Sequence, residues 1–261
     1  MKTRFVFVCL GLLLGRLTFA EDRVFSARIP ASLANDNTTL LANQIDLTFH
    51  TRKAEAVHDY FSSVLGYETE KIDEGSFRLS INRNMVLSGK PESSDTLSSF
   101  VIDFDQESSQ DFVQKYADQT GGNRSASKIE PFVSKFIEYP DYAIGFEFMS
   151  QVAKRRRGDC TEYAALTTGL SRAMGVPARY IFGLVIISSN DQVQGFGHAW
   201  TEQWADNKWE ILDAALYGNE FDALYYIPIS KLQNEGAGYM LNQLEIIDKF
   251  PTELSAIAGI N

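Results

Sequence analysis

"RRRGDCTEYAALTTGLSRAMGVPARYIFGLV", residues 155–185, carries the clearest structural pattern in the chain. Asp159 stands before Cys160, and Glu162 follows three residues later. An acid at the cap with Glu at the third helical position is a capping-box arrangement, and it predicts a helix that begins at Cys160. Tyr163, Leu166, Leu170 and Ala173 fall at helical spacing and predict its buried stripe. Gly175 ends the helix and Pro177 prevents it from resuming. Residues 178–187 are then nearly all apolar, as a strand buried on both faces should be.

Two further strands follow, "GFGHAWTEQWA" (195–205) and "KWEILDAAL" (208–216), joined by Asp206 and Asn207 as a two-residue hairpin turn. That turn sets a register. Ala205 pairs with Lys208, Trp204 with Trp209, Glu202 with Ile211, and Trp200 with Asp213. Side chains alternate along a strand, so His198, Trp200, Glu202 and Trp204 share a face with Trp209, Ile211 and Asp213. His198 and Asp213 become diagonal neighbours, with Cα atoms about 7–8 Å apart. A slip of one residue would move Asp213 to the other face.

A cysteine in the first turn of a helix lies where the peptide dipoles favour a thiolate and where backbone N–H groups can bind an oxyanion. A thiol nucleophile needs a histidine base, and the base needs an orienting partner. Cys160, His198 and Asp213 are the candidates for those three roles. Residues 155–157 would strengthen the positive field if their side chains turn toward the sulfur. The Cys160 backbone N–H is the expected oxyanion donor, with Tyr142 and Gln151 as weaker candidates. His50 and His58 read as ordinary surface or satisfied polar residues. The alternative for Cys160 is a buried cysteine acting as a small hydrophobe.

The 261-residue chain is 44% hydrophobic and 22% charged, the composition of a globular protein, and its net charge of −10 argues against nucleic-acid binding. Residues 1–20, "MKTRFVFVCLGLLLGRLTFA", read as a signal peptide: Lys2 and Arg4, a short apolar run, then Thr18, Phe19 and Ala20. The expected location is therefore secreted or periplasmic, without stable membrane insertion after cleavage. Cys9 would leave with the signal, so Cys160 would be the only cysteine of the mature chain. An unpaired cysteine in an exported protein points to a reactive thiol or an intermolecular bridge.

Residues 21–115 read as a smaller α+β region, with strands at 44–51, 77–83, 85–90 and 98–105 and a helix at 53–67. The polar stretch 117–127 reads as a linker into a catalytic domain spanning 116–261, whose first helices are expected at 127–139 and roughly 145–155.

The motifs from residue 155 onward, with "GHAWTEQW" and "KWEILDAA" in the same order, resemble the transglutaminase-like superfamily. The likeness extends over roughly residues 127–216. It implies an α+β fold with a papain/transglutaminase-like core, in which a Cys-bearing helix packs on an antiparallel sheet. It also implies Cys160 as nucleophile, His198 as general base and acid, and Asp213 as the orienting carboxylate. The usual Pro-Thr after that aspartate is replaced by Ala214 and Ala215. The expected activity is acyl transfer or hydrolysis at amide bonds of a peptide or protein substrate through a thioester, with an amine as a second possible acceptor. No metal or cofactor is expected. A non-catalytic peptide- or cell-wall-binding module on the same fold is the alternative.

Overall fold

A computed structural model describes residues 27–35, 42–140, 146–189, 192–233 and 235–260. The expected signal peptide, with Cys9, and Tyr142 lie outside the described residues. In chain order the elements begin with β1 (Ala27–Ile29), β2 (Ala31–Leu33), β3 (Gln44–His50) and α1 (Ala54–Asp59). The last of these continues as a wider-wound turn through Tyr60–Val64. β4 (Glu68–Lys71), β5 (Ser76–Asn82), α2 (Glu107–Thr120), α3 (Ala126–Phe136), β6 (Tyr139–Pro140) and α4 (Met149–Arg155) come next. Then follow β7 (Arg157–Gly158), α5 (Cys160–Ala173), β8 (Ala178–Ser189), β9 (Gln192–Ala205) and β10 (Lys208–Leu212). β11 (Ala223–Lys231), α6 (Tyr239–Ile247) and β12 (Glu253–Ile260) complete the described chain.

The protein is α+β, with two mainly antiparallel sheets. One has the order β1-β9-β8-β11, with β10 also on β9, and the other β2-β12-β3-β5-β4. The long apolar strand β8 is central, between β9 and β11, as its composition requires. The Asp206–Asn207 turn forms with both residues at positive φ (50° and 62°), which suits a type I′ hairpin. It sets Ala205 opposite Lys208, Trp204 opposite Trp209 and Glu202 opposite Ile211, the predicted register.

The two sheets share one apolar core. Ile45, Leu47, Phe49, Phe77, Leu79 and Ile81 belong to the same buried cluster as Leu184, Ile186, Tyr225 and Ile227. Tyr60 and Tyr67 donate across the junction to the carbonyls of Ile229 (2.9 Å) and Pro228 (2.5 Å). The expected division at residues 115 and 116 falls inside α2, and β12 returns from the end of the chain to pair with β3.

Two expected strands do not form. Residues 98–105 make turns, although Val101 and Ile102 are fully buried. Their backbone serves α4 instead: Val101 O accepts from Met149 N at 3.0 Å, and the Asp103 carboxylate accepts from Ser150 N at 2.8 Å. Alternating apolar residues signalled burial there, not a ladder. Residues 85–90 are irregular because side chains of the first sheet satisfy their backbone. Leu87 N donates to Glu202 Oε1 (3.3 Å), Arg179 donates to Leu87 O and Ser88 O, and Trp209 Nε1 donates to Gly89 O (2.9 Å).

Arg179 and Glu202, opposite each other on β8 and β9, anchor this contact. They form a buried ion pair with Nη2–Oε2 at 2.5 Å and Nε–Oε2 at 2.8 Å, and the guanidinium lies 4.0 Å from the Trp209 ring centroid. Removing one partner of such a pair leaves a charge stranded in the interior. Glu202→Ala is expected to cost about 3–5 kcal/mol, read as a fall in the urea midpoint at unchanged slope.

Candidate active site

The site is built where α5 meets β9. Asp159 caps α5: its carboxylate accepts from Thr161 N at 2.9 Å, while Glu162 Oε2 accepts from Asp159 N at 2.9 Å. The predicted capping box is therefore present, and it starts the helix at Cys160. The helix is buried all round from Cys160 to Arg172, not on one stripe alone. Its small and hydroxylated residues make this possible by hydrogen-bonding inward. Thr168 meets Thr201 at 2.8 Å, and Ser171 donates to Gln203 at 2.9 Å.

Those contacts define the geometry of β9. Thr201 and Gln203, and by alternation Ala199, face α5; His198, Trp200 and Glu202 face the other way. The Ala199 backbone amide lies near enough to the Cys160 sulfur to favour its charged form. Among the described residues, β1 pairs with β9 as far as Gly197 and β10 pairs with it from Thr201.

His198 Nε2 donates to Asp213 Oδ2 at 2.7 Å, with both groups buried. In the neutral ring this places the lone pair on Nδ1. Asp213 stands just after β10, and its carboxylate does three things at once. Oδ2 also accepts from Tyr226 OH (2.9 Å), and Oδ1 accepts from Leu216 N (3.2 Å) to close the turn that follows the strand. Ala214 and Ala215 lie in that turn, so the departure from Pro-Thr leaves the aspartate in place. Trp200 stacks on His198 with centroids 6.0 Å apart and meets Tyr226 at 5.1 Å. Gly183, opposite His198 on β8, leaves room for that indole: an added Cβ would lie 2.6 Å from Trp200 Cη2 and 2.2 Å from Ile227 O.

Tyr226 and Glu130 escaped the sequence reading. Glu130 Oε1, on α3, accepts from Asp213 N at 2.8 Å. Neither residue lies in a motif, and their positions follow only from how β11 and α3 pack.

Three sequence expectations are corrected. Cys160 is completely buried, and burial pushes its thiol well above the ordinary range, with the carboxylates of Asp159 and Glu162 pushing the same way. The Ala199 N–H opposes this without reversing it. The helix N-terminus therefore does not by itself produce a thiolate. Arg155 and Arg156 are not turned to the sulfur: Arg155 pairs with Glu147, and Arg156 pairs with Glu138 (2.6 Å) and covers the Phe136 ring. Gln151 is exposed on α4. His50, bonded to Ser255, and His58, bonded to Asp59, belong to the region of the second sheet. Among the described residues no group of three or more His, Cys, Asp or Glu is arranged to hold a metal ion.

Residues 107–214 match the family model of the transglutaminase-like superfamily, from the first residue of α2 to the residue after Asp213. Solved structures similar to the chain include the periplasmic domain of TgpA from Pseudomonas aeruginosa (12% identity, 75% of this chain and 85% of that one, TM-score 0.41). A candidate cysteine protease from Cytophaga hutchinsonii is similar at 16% identity, over 70% of this chain and 77% of that one, with TM-score 0.39. Red sea bream transglutaminase is similar at 9% identity, over 72% of this chain and 49% of that one, with TM-score 0.32. No curated protein matches in sequence. The transglutaminase-like segment contains Cys160, His198 and Asp213.

Two titrations follow. Iodoacetamide labelling of Cys160 in the native protein is expected to rise with pH along a curve centred above that of an ordinary thiol, about 8.5. A centre below that value would contradict the burial effect. Burial, with the Asp159 charge beside it, also pushes the Glu162 carboxyl up to about 8 from 4.5. The folded state then holds a proton that the unfolded state releases, so stability falls as pH rises through that interval. Glu162→Gln should flatten this slope in denaturant titrations taken at several pH values.

Proposed function

We propose that this protein is a cysteine-dependent acyltransferase or hydrolase acting on amide bonds of peptide or protein substrates. The observation that carries this is the His198–Asp213 hydrogen bond at 2.7 Å beside a helix-terminal cysteine whose sulfur lies against the Ala199 N–H. A buried imidazole oriented by a carboxylate is the arrangement that activates thiols and hydroxyls.

The chemistry runs in two halves. The Cys160 thiol gives its proton to His198 as the sulfur attacks the substrate carbonyl carbon, forming the C–S bond. This transfer is needed because burial keeps the resting thiol protonated. The oxyanion is held by the Cys160 backbone N–H. His198 passes its proton to the departing nitrogen, the C–N bond breaks, and a thioester remains. Water or an amine then loses a proton to His198 and attacks the thioester carbon. The C–S bond breaks, and the sulfur takes the proton back. Asp213 holds the imidazole in the tautomer this sequence needs and stabilises its charged form, while Tyr226 and Leu216 N hold Asp213.

The complete burial of Cys160 favours a second reading, a non-catalytic peptide- or cell-wall-binding module on the same fold. Export fits either reading. Residues 1–20 have the pattern of a signal peptide, and among the described residues no helix is long and apolar enough to cross a membrane.

Incubating the full chain with a glutamine-containing peptide library and a primary amine, followed by mass spectrometry, separates these readings. Amine adducts denote transfer, and cleaved or deamidated peptides denote hydrolysis. Cys160→Ala should abolish either product, and His198→Ala should lower the rate by about a hundred- to ten-thousand-fold. Products that persist in Cys160→Ala, or their absence from the unaltered protein across peptide and amine classes, would favour the binding module.

A further inference from the structure

A substrate carbonyl reaches the fully buried sulfur of Cys160 only after part of its enclosure moves. One wall of that enclosure is aromatic. Phe146 belongs to the same buried cluster as Cys160 and packs on Tyr180, Phe182 and Tyr239, at centroid distances of 5.0, 5.7 and 5.1 Å. Tyr180 is close enough to Cys160 to feel a charge on its sulfur, and it donates to Thr161 O at 3.1 Å.

The backbone of this wall is tied to the cap of α5 by one side chain. Glu162 Oε1 accepts from Glu147 N at 3.1 Å and from the Thr161 hydroxyl at 2.9 Å. Its Oε2 accepts from Asp159 N at 2.9 Å. The same carboxyl group therefore starts the Cys160 helix and holds the segment over it. Gly158 permits this, because a Cβ there would lie 2.3 Å from Glu162 Cβ. The Arg155–Glu147 ion pair gives the segment a second tie, to α4. A Glu at this position needs no such outward contact to complete a capping box, so the bond to Glu147 N is additional to the cap.

We propose that Glu162 is a positioning residue that latches residues 146–148 over Cys160, and that access to the sulfur opens when Glu147 N leaves the carboxyl group while the Asp159 cap stays made. The cap is reciprocal, with donors and acceptors on both residues, whereas Glu147 N is joined to the carboxyl group by one hydrogen bond of ordinary strength. The inference rests on Cys160 as the reactive group but not on which acceptor it serves.

The test compares two thiol reagents of different size, iodoacetamide and a polyethylene-glycol maleimide, on the full chain at one pH. Glu162→Asp keeps the carboxyl group but shortens the arm, so it cannot span both Asp159 N and Glu147 N. Glu162→Gln keeps the length but offers only one acceptor oxygen. Both variants are expected to raise the bulky-to-small ratio of labelling rates by about fivefold to tenfold, the loss of one hydrogen bond. Hydrogen exchange should rise in peptides covering residues 146–149 while α5 beyond residue 163 stays protected. Equal acceleration of both reagents would mean that only the thiol's acidity had changed and would overturn the latch, as would unchanged labelling in Glu162→Asp. If Glu162→Gln does not fold, Glu162→Asp decides alone. Neither readout involves turnover, so a failure to find acyl-transfer products leaves this test intact.

Discussion

The reciprocal hydrogen bonds between Asp159 and Glu162 are the constraint from which the site follows. They fix the residue at which α5 begins, and so fix the point in space at which the Cys160 sulfur stands. A helix starting one residue later would rotate that side chain by about 100° about the helix axis, away from the Ala199 backbone. The helix interior then keeps the alignment through Thr168 and Ser171, which meet Thr201 and Gln203 across the interface. In a buried helix each such hydroxyl would be costly if unpaired, so these bonds specify register more than they add strength.

The second constraint is the short hairpin between β9 and β10. A two-residue turn with both residues at positive φ allows one register, and that register carries Asp213 to the face that holds His198. β10 ends before Asp213, which frees the aspartate to close the following turn with one oxygen and hold the imidazole with the other. Structural capping and imidazole orientation are thus functions of one side chain. The aspartate is itself held from outside, by Tyr226 on β11 and Glu130 on α3, so the packing of distant elements bears directly on the imidazole.

Burial works against reactivity at the resting site. Taking Cys160 out of water and leaving it beside two carboxyl groups favours the neutral thiol, whatever the helix N-terminus contributes. A thiol kept neutral and covered is protected from adventitious oxidation, which depends on thiolate character and exposure.

Much of this was legible in local sequence because the deciding interactions are local. The capping box spans four residues, the hairpin turn two, and strand alternation needs no partner to be counted, so the start of α5, the register of β9 with β10 and the meeting of His198 with Asp213 could all be read from the sequence. What depended on tertiary packing could not. The apolar alternation at 98–105 reported burial, but only the position of α4 made those residues a cap in place of a strand. The arginines at 155 and 156 suggested a field at the sulfur, yet Glu147 and Glu138 lay nearer and took them. The burial of Cys160, and with it the sign of its acidity shift, belongs to a core shared with an aromatic cluster and a second sheet, contributed by segments that include some more than a hundred residues away in sequence. Sequence determined which groups would meet; only the packed chain decided how much water was left around them.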